Sequence, residues 1–413
     1  MTVAKNKILG GDKIIWIVYI LFIFISIVEV FASMGRKVGG ASFVPTLGFH
    51  CLWLFIGFAC CFIMHKIDYR KITMWLKVLL IISIVLTCVP YIVAKFSGEF
   101  LSTARWIRLD LGFYKLQFQP SEIVKYIIIF YICSIMASKQ AQISTKKVFL
   151  LCMGPLGIVC AIVFWSNFST SLLIFVASFL LMRIGGVNKK YLYLTILILG
   201  SIIGILLLIA YYAPEFVEKI GRIGTAAGRI TGKANTDYTQ ITQPNQALIA
   251  VATGGLLGVG IGHSTQSWFL KEGHNDFIFS IILEEGGMWL GGFIILLYII
   301  LLYRMFRIAR NIDGYFGAMA CLGLGIVITL QALINMSVAV GLIPVTGQTL
   351  PFISYGGTSF VFASVFLGLI LNISKKMEKI QNDAVLKEEI TQNSLQKTQE
   401  ITTDTEEDTN QSD

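Results

Sequence analysis

The chain has 413 residues, 55% of them hydrophobic and 14% charged, with a mean hydropathy of +0.75. A soluble domain of that length has too little interior to hide so much apolar surface, so the composition excludes a water-soluble globular protein and calls for several membrane spans. The formal charge of +9 is unevenly divided: residues 375–413 hold 5 Lys against 10 Asp or Glu, net −5, which leaves +14 for the remainder. Those bases come in small clusters between apolar runs, as topology signals do, which argues against a nucleic-acid partner.

Counting apolar runs against the roughly 20 residues needed to cross a bilayer predicts an all-α, polytopic membrane protein of about ten helices. The spans fall at residues 14–31, 46–64, 74–93, 122–137, 148–164, 168–182, 191–213, 277–303, 315–342 and 358–373. The first run exceeds a signal-peptide core and no small-residue cleavage site follows, so it reads as a retained span. Three bases recur at the N-terminus (Lys5, Lys7, Lys13), at every even connection and after the last span (Lys375, Lys376, Lys379). The positive-inside rule then puts both termini in the cytoplasm. All eight cysteines lie in apolar runs without metal-type spacing and read as small buried hydrophobes.

Two outer connections stand apart. The third, residues 94–121, holds Arg105, Trp106, Arg108, Asp110 and Lys115, bases that run against the topology bias, and ends in Gln119-Pro120-Ser121-Glu122 at the mouth of the fourth helix. The seventh, residues 214–275, is long enough to be functional in its own right. Its apolar, glycine-rich part at 246–260 is too short to cross and predicts a re-entrant or interfacial helix. The chain therefore divides into a ten-span membrane domain, 1–374, with a large extracytoplasmic loop at 214–276, and an acidic cytoplasmic tail, 375–413, whose composition predicts disorder.

The densest chemistry follows that loop. Asp276 stands directly before the apolar run Phe277-Ile278-Phe279, where it reads equally as a helix N-cap and as a functional acid at the membrane. Glu284 and Glu285, about two turns deeper, read first as partners in a structural ion pair and second as catalytic. The glycines 254, 255, 258, 260 and 262 lack the strand and ribose-binding acid of a dinucleotide loop and fit close helix packing, as do Gly287 and Gly291. Arg105, Arg108, Lys115 and Lys125 read either as a solvated loop face or, beside Trp106, as a site for a lipid-linked phosphate. The ninth connection, 341–357, has two prolines and no charge and predicts a rigid, buried loop.

Four motifs, in order, resemble the SEDS family (shape, elongation, division and sporulation), the family of FtsW and RodA. They are Arg105-Trp106-Ile107 with Gln119-Pro120-Ser121-Glu122 and Lys125; the Gly254-Gly255 helix; Gly273-His274-Asn275-Asp276-Phe277-Ile278-Phe279 with Glu284-Glu285; and Pro344-Val345-Thr346-Gly347 running to Leu350-Pro351-Phe352-Ile353-Ser354-Tyr355-Gly356-Gly357. The resemblance covers nearly everything outside the tail. It implies a glycosyltransferase that joins lipid II units at the outer face of the cytoplasmic membrane and releases undecaprenyl diphosphate. Asp276 would be its essential acid. Arg105, Trp106, Arg108, Gln119, Ser121, Glu122, Lys125, His274, Ser354 and Tyr355 would line the substrate site, with Arg105, Arg108 and Lys125 opposite the diphosphate. The implied partners are lipid II, a class B penicillin-binding protein transpeptidase and other division proteins, with a divalent cation, Mg or Mn, left as an open cofactor.

The chain departs from the family pattern in three places. Asn167 stands where relatives carry an acid before Gly-Thr, Lys271 where proline is common, and Gly286 where leucine is common. Asn167 and the acidic tail resemble the division member FtsW more than the elongation member RodA. Two other readings stand beside the enzyme: a lipid II flippase, and a non-catalytic division scaffold. A flippase calls for a charged path into the cytoplasmic half, whereas the polar residues here gather on the outer side. A scaffold would tolerate Asp276→Asn.

Overall fold

Apolar runs of this length can satisfy their backbone amides in lipid only as helices or closed barrels. The computed structural model, which describes residues 10–35, 43–97, 106–110, 115–212, 242–270 and 272–410, makes them helices. In chain order these are α1 (Lys13–Gly35), α2 (Phe43–Lys66), α3 (Tyr69–Ser97), α4 (Pro120–Ser138), α5 (Lys146–Ser166), α6 (Phe168–Ile184), α7 (Lys189–Tyr212), the short α8 (Gln243–Gly254), α9 (Ile278–Asn311), α10 (Tyr315–Ala339) and α11 (Gly357–Asn410). Eight are long and apolar enough to cross a membrane. The other two expected spans are α6, short at 17 residues, and α7, of 24. The polytopic all-α architecture is thus as expected, with one addition. Residues of the third connection alternate apolar and polar, and form a two-stranded antiparallel hairpin, β1 (Ile107–Asp110) and β2 (Lys115–Phe118), with Arg108 opposite Gln117.

The segment expected to be re-entrant is α8, which lies along α9 and exposes Leu248 and Ile249. Just beyond it the chain enters a break in α9. Gly287 takes φ 65° and ψ −167°, outside the helical region, so the hydrogen-bond ladder is interrupted there. The backbone after α8 satisfies the interrupted groups: Val259 and Gly260 amides donate to the carbonyls of Glu284 and Glu285, both at 2.9 Å, and Met288 donates to Gly255 at 3.0 Å. The backbones approach so closely that a Cβ on Gly258 would lie 2.2 Å from the Glu285 carbonyl oxygen. Close packing is therefore the role of Gly254 and Gly258, whereas Gly255 and Gly262 have open space around them and serve instead through their positive φ.

At the opposite end of the bundle, charges clamp the helix ends. Asp12 accepts from the amides of Ile14 (2.9 Å) and Ile15 (3.1 Å) at the start of α1, while its second oxygen binds Arg304 of α9. Lys376 of α11 pairs with Asp68 at 2.5 Å and covers the Tyr69 ring, and Asn372 donates to the His65 carbonyl at 2.8 Å. From this clamp α11 runs on as one helix to Asn410, where disorder had been expected for the tail. The difference has a local cause: the tail contains no Gly or Pro, and its six Glu, five Lys and five Gln are good helix formers that outnumber its six Thr, so backbone propensity favours a helix there.

The break in α9 generates a test. An alanine at Gly287 meets both a left-handed φ and the Leu256 carbonyl oxygen at 2.4 Å, whereas an alanine at Gly292 on the same helix meets nothing within 4 Å. Gly287→Ala is expected to cost about 2–4 kcal/mol of stability, and Gly292→Ala to be neutral or slightly stabilising, as read by unfolding of the two variants in detergent.

Candidate active site

Asp276 sits at the end of the bundle that also carries the start of α4, the α5–α6 turn and the loop between α10 and α11. Its position as helix cap is taken by its neighbour: Phe277 is the N-cap of α9 and the helix begins at Ile278. Asp276 is half-buried, and the turn that holds it is closed by the amides of Asn275 and Asp276 donating to the Glu272 carbonyl, each at 3.0 Å.

What fixes this turn is the loop after α10. Three consecutive carbonyls are each held by a donor from that loop or its flank. Tyr355 N–H donates to His274 at 2.9 Å, Ser354 Oγ to Asn275 at 2.7 Å, and Asn335 Nδ2 to Asp276 at 2.8 Å. The His274 ring meets the Tyr355 ring edge-on, centroids 5.5 Å apart. The inner half of the loop is buried as expected, with Leu350, Phe352 and Ile353 at 2% exposure or less, while Leu342 at its start is 77% exposed.

The loop is in turn tied to the helices beneath it. Asn335 also donates to the Gln348 carbonyl at 2.7 Å, and Gln348 Nε2 donates to Thr170 Oγ1 at 2.7 Å. Asn167, the residue that departs from the family pattern, caps α6 by accepting from the Thr170 amide at 3.2 Å, so it supports the far end of this chain of contacts. On α4, Lys125 Nζ lies 2.7 Å from Glu122 Oε2 and 2.7 Å from Gln331 Oε1, and Gln331 donates to the Thr349 carbonyl at 2.9 Å. Ser359 completes the group by donating to Glu122 at 2.5 Å.

This geometry revises several expected roles. Lys125 is fully buried and committed to Glu122 and Gln331, so it supports the loop instead of facing a diphosphate. Ser354 donates to Asn275 and accepts from the Leu350 amide at 2.8 Å, again a supporting role. Gln119 and Ser121 are buried and bonded to each other at 2.9 Å. Glu284, expected beside a base, accepts instead from Ser264, from Thr265 through its amide (3.0 Å) and hydroxyl (2.9 Å), and from the Gln266 amide. A carboxylate with that many neutral donors needs no cation to be kept buried. Glu285 is buried and interacts with the buried Glu29 of α1. Trp106 is 38% exposed just before β1; Arg108 lies on β1 with its side chain outside the described residues, as are Arg105 and Lys271 altogether.

Gln331, Asn335, Gln348 and Thr170 were not anticipated, although one signal was present. Gln331 and Asn335 are four residues apart in an apolar span, hence on one face, and buried polar groups in a membrane helix point to a partner. Among the described residues no three or more His, Cys, Asp or Glu side chains gather into a group that could hold a metal ion.

An apolar pocket of about 380 Å³ opens between α2, α3, the hairpin and α11, lined by Trp53, Leu86, Ile107, Phe118, Thr358, Val361 and Phe362. A half-buried acid on a turn held through three carbonyls, and an apolar pocket lined in part by the hairpin, belong to a polytopic membrane protein with a candidate site at one end of its helical bundle. Comparison with known proteins makes the class specific. The cell cycle protein family of FtsW, RodA and SpoVE matches residues 12–379, and the chain belongs to that family. Stage V sporulation protein E of Bacillus subtilis is 30% identical over 327 residues, 78% of this chain and 84% of that protein. The probable peptidoglycan glycosyltransferases FtsW of Coxiella burnetii (30% over 340 residues, 80% of this chain and 86% of the relative) and Hydrogenovibrio crunogenus (32% over 289 residues, 68% and 70%) are similarly close. The same fold is seen, at 20% identity, in a chain of a peptidoglycan synthase complex that coordinates polymerization and crosslinking (TM-score 0.70, covering 89% of this chain and 99% of that one). It is seen again in the rod shape determining protein RodA of Thermus thermophilus (TM-score 0.62, 20% identity, 89% and 98%).

The Glu122–Lys125 pair makes a sharp stability prediction. Lys125→Met leaves a carboxylate buried with only a hydroxyl partner and is expected to destabilise by about 3–5 kcal/mol, while the double variant Glu122→Gln, Lys125→Met recovers most of that loss. Unfolding in detergent, monitored for the three proteins side by side, reads the difference.

Proposed function

We propose that the chain is a peptidoglycan glycosyltransferase that polymerises lipid II in septal wall synthesis. Asp276 accepts the proton of the sugar 4-hydroxyl of one lipid-linked disaccharide. The freed oxygen attacks C1 of a second, inverts that centre to form a β-1,4 bond, and undecaprenyl diphosphate leaves with the C1–O electron pair. A positioned base contributes about 10²- to 10⁴-fold to such a step, and stabilising the departing diphosphate supplies much of the rest.

The observation that carries this reading is the fixation of the Asp276 turn through three consecutive carbonyls, because a base must be held to a fraction of an ångström while its carboxyl stays partly accessible. Arg105 and Arg108 are assigned to the diphosphate, and the apolar pocket beside the hairpin suits part of a polyprenyl chain. The charge pattern supports a cytoplasmic-membrane protein with both termini inside and this site outside. The proposed partner is a class B penicillin-binding protein transpeptidase, which would cross-link the strands made here.

The test is polymerisation of labelled lipid II by the purified chain, with and without such a transpeptidase. The native protein is expected to yield a glycan ladder, and Asp276→Asn at equal folded concentration to lose at least about 100-fold in rate. Ladders of equal strength from both would remove Asp276 as the base. Lipid crossing vesicles without any ladder would move the assignment to a flippase.

A further inference from the structure

Two polar side chains outside the proposed chemistry hold the supporting loop from behind. Ser26 of α1 and His50 of α2 lie within apolar spans and are 0% and 2% exposed. Ser26 Oγ donates to the Ile353 carbonyl at 2.7 Å and lies 3.0 Å from His50 Nε2. A serine hydroxyl has one hydrogen. With that hydrogen on Ile353, Ser26 can only accept from His50, so Nε2 carries the ring hydrogen. The His50 ring also rests against the Tyr355 ring, centroids 5.3 Å apart, on a tyrosine whose ring also meets His274.

Placing a serine and a histidine inside a bundle adds less to burial than Ala and Leu would, and each must find a hydrogen-bond partner. What the pair does specifically is fix one carbonyl, that of Ile353. The next two residues, Ser354 and Tyr355, are the ones that hold the Asn275 and His274 carbonyls. From this continuity we infer that Ser26 and His50 are positioning residues for Asp276, acting through Ile353, Ser354 and Tyr355. The inference rests on the reading of Asp276 as the base. Neither residue is placed at the substrate, so their removal should change the chemical step and leave substrate affinity alone. Misplacement of a catalytic group by about 1 Å costs on the order of 100-fold, and a loosened loop should cost part of that.

The experiment uses the full chain reconstituted with lipid II and its transpeptidase partner, and four variants: Ser26→Ala, His50→Phe, His50→Gln and Asp276→Asn. His50→Phe keeps a ring against Tyr355 but loses the Nε2 hydrogen; His50→Gln offers an amide in its place. Ser26→Ala and His50→Phe are expected to lower kcat about tenfold with KM within about twofold, and His50→Gln to return kcat to within about threefold of native. Amide hydrogen exchange, which needs no activity, is expected to speed up at residues 353–355 and 274–278 in the first two variants and not in His50→Gln. Native kcat in Ser26→Ala and His50→Phe, while Asp276→Asn is dead, would overturn the positioning role and leave the proposed function intact. A rise in KM at unchanged kcat, faster exchange without loss of kcat, or no recovery in His50→Gln would overturn it as well. A native protein that makes no glycan even with its partner would remove the proposed function, and this inference with it.

Discussion

Three adjacent carbonyls, those of His274, Asn275 and Asp276, each receive a hydrogen bond from the loop after α10 or from the helix that leads into it. A turn at a membrane surface has no helical ladder of its own to hold it, so without these donors its backbone would be free to exchange water for protein partners. Donors taken from one covalently continuous loop make the turn and the loop a single body. The position of the acid is thereby set by where the loop sits.

The loop's position is set by polar contacts that reach it from four helices. Ser26 of α1 holds Ile353, Gln348 is tied to Thr170 of α6, Thr349 to Gln331 of α10, and the Glu122–Lys125 pair of α4 braces Gln331. Each contact lies where the dielectric is low, so each is strong when made and costly when left unmade. Apolar packing alone would allow helices facing lipid to slide past one another with little change in energy, because lipid tails are as apolar as leucine. Directional hydrogen bonds remove that freedom at the end of the bundle where the acid resides.

The break in α9 contributes in a different way. At Gly287 the helix leaves its ladder, and the glycine-rich backbone after α8 replaces the missing partners of Glu284 and Glu285. Glu284 then accepts from Ser264, Thr265 and Gln266, so this stretch of the large loop is fastened to α9 about two turns beyond Asp276. Both sides of the Asp276 turn are therefore anchored, one by the loop after α10 and the other by the chain that precedes it.

Periodicity and composition were sufficient for the spans, because a run of 20 apolar residues has few alternatives in a bilayer, and the motif order was sufficient for the family. Asp276 was legible as an expensive acid beside an apolar run, and Gln331 and Asn335 carried the same signal four residues apart. The partners of those groups were not legible. Lys125 and Glu284 have side chains that suit a phosphate or an ion pair in any local reading, and only the fold commits one to Glu122 and Gln331 and the other to neutral hydroxyls and amides. Some 300 residues separate Ser26 from Ile353, and nearly 80 separate Asn275 from Ser354. A hydrogen bond has no sequence range: what decides whether two groups meet is how the helices between them pack, and that is a property of the whole bundle.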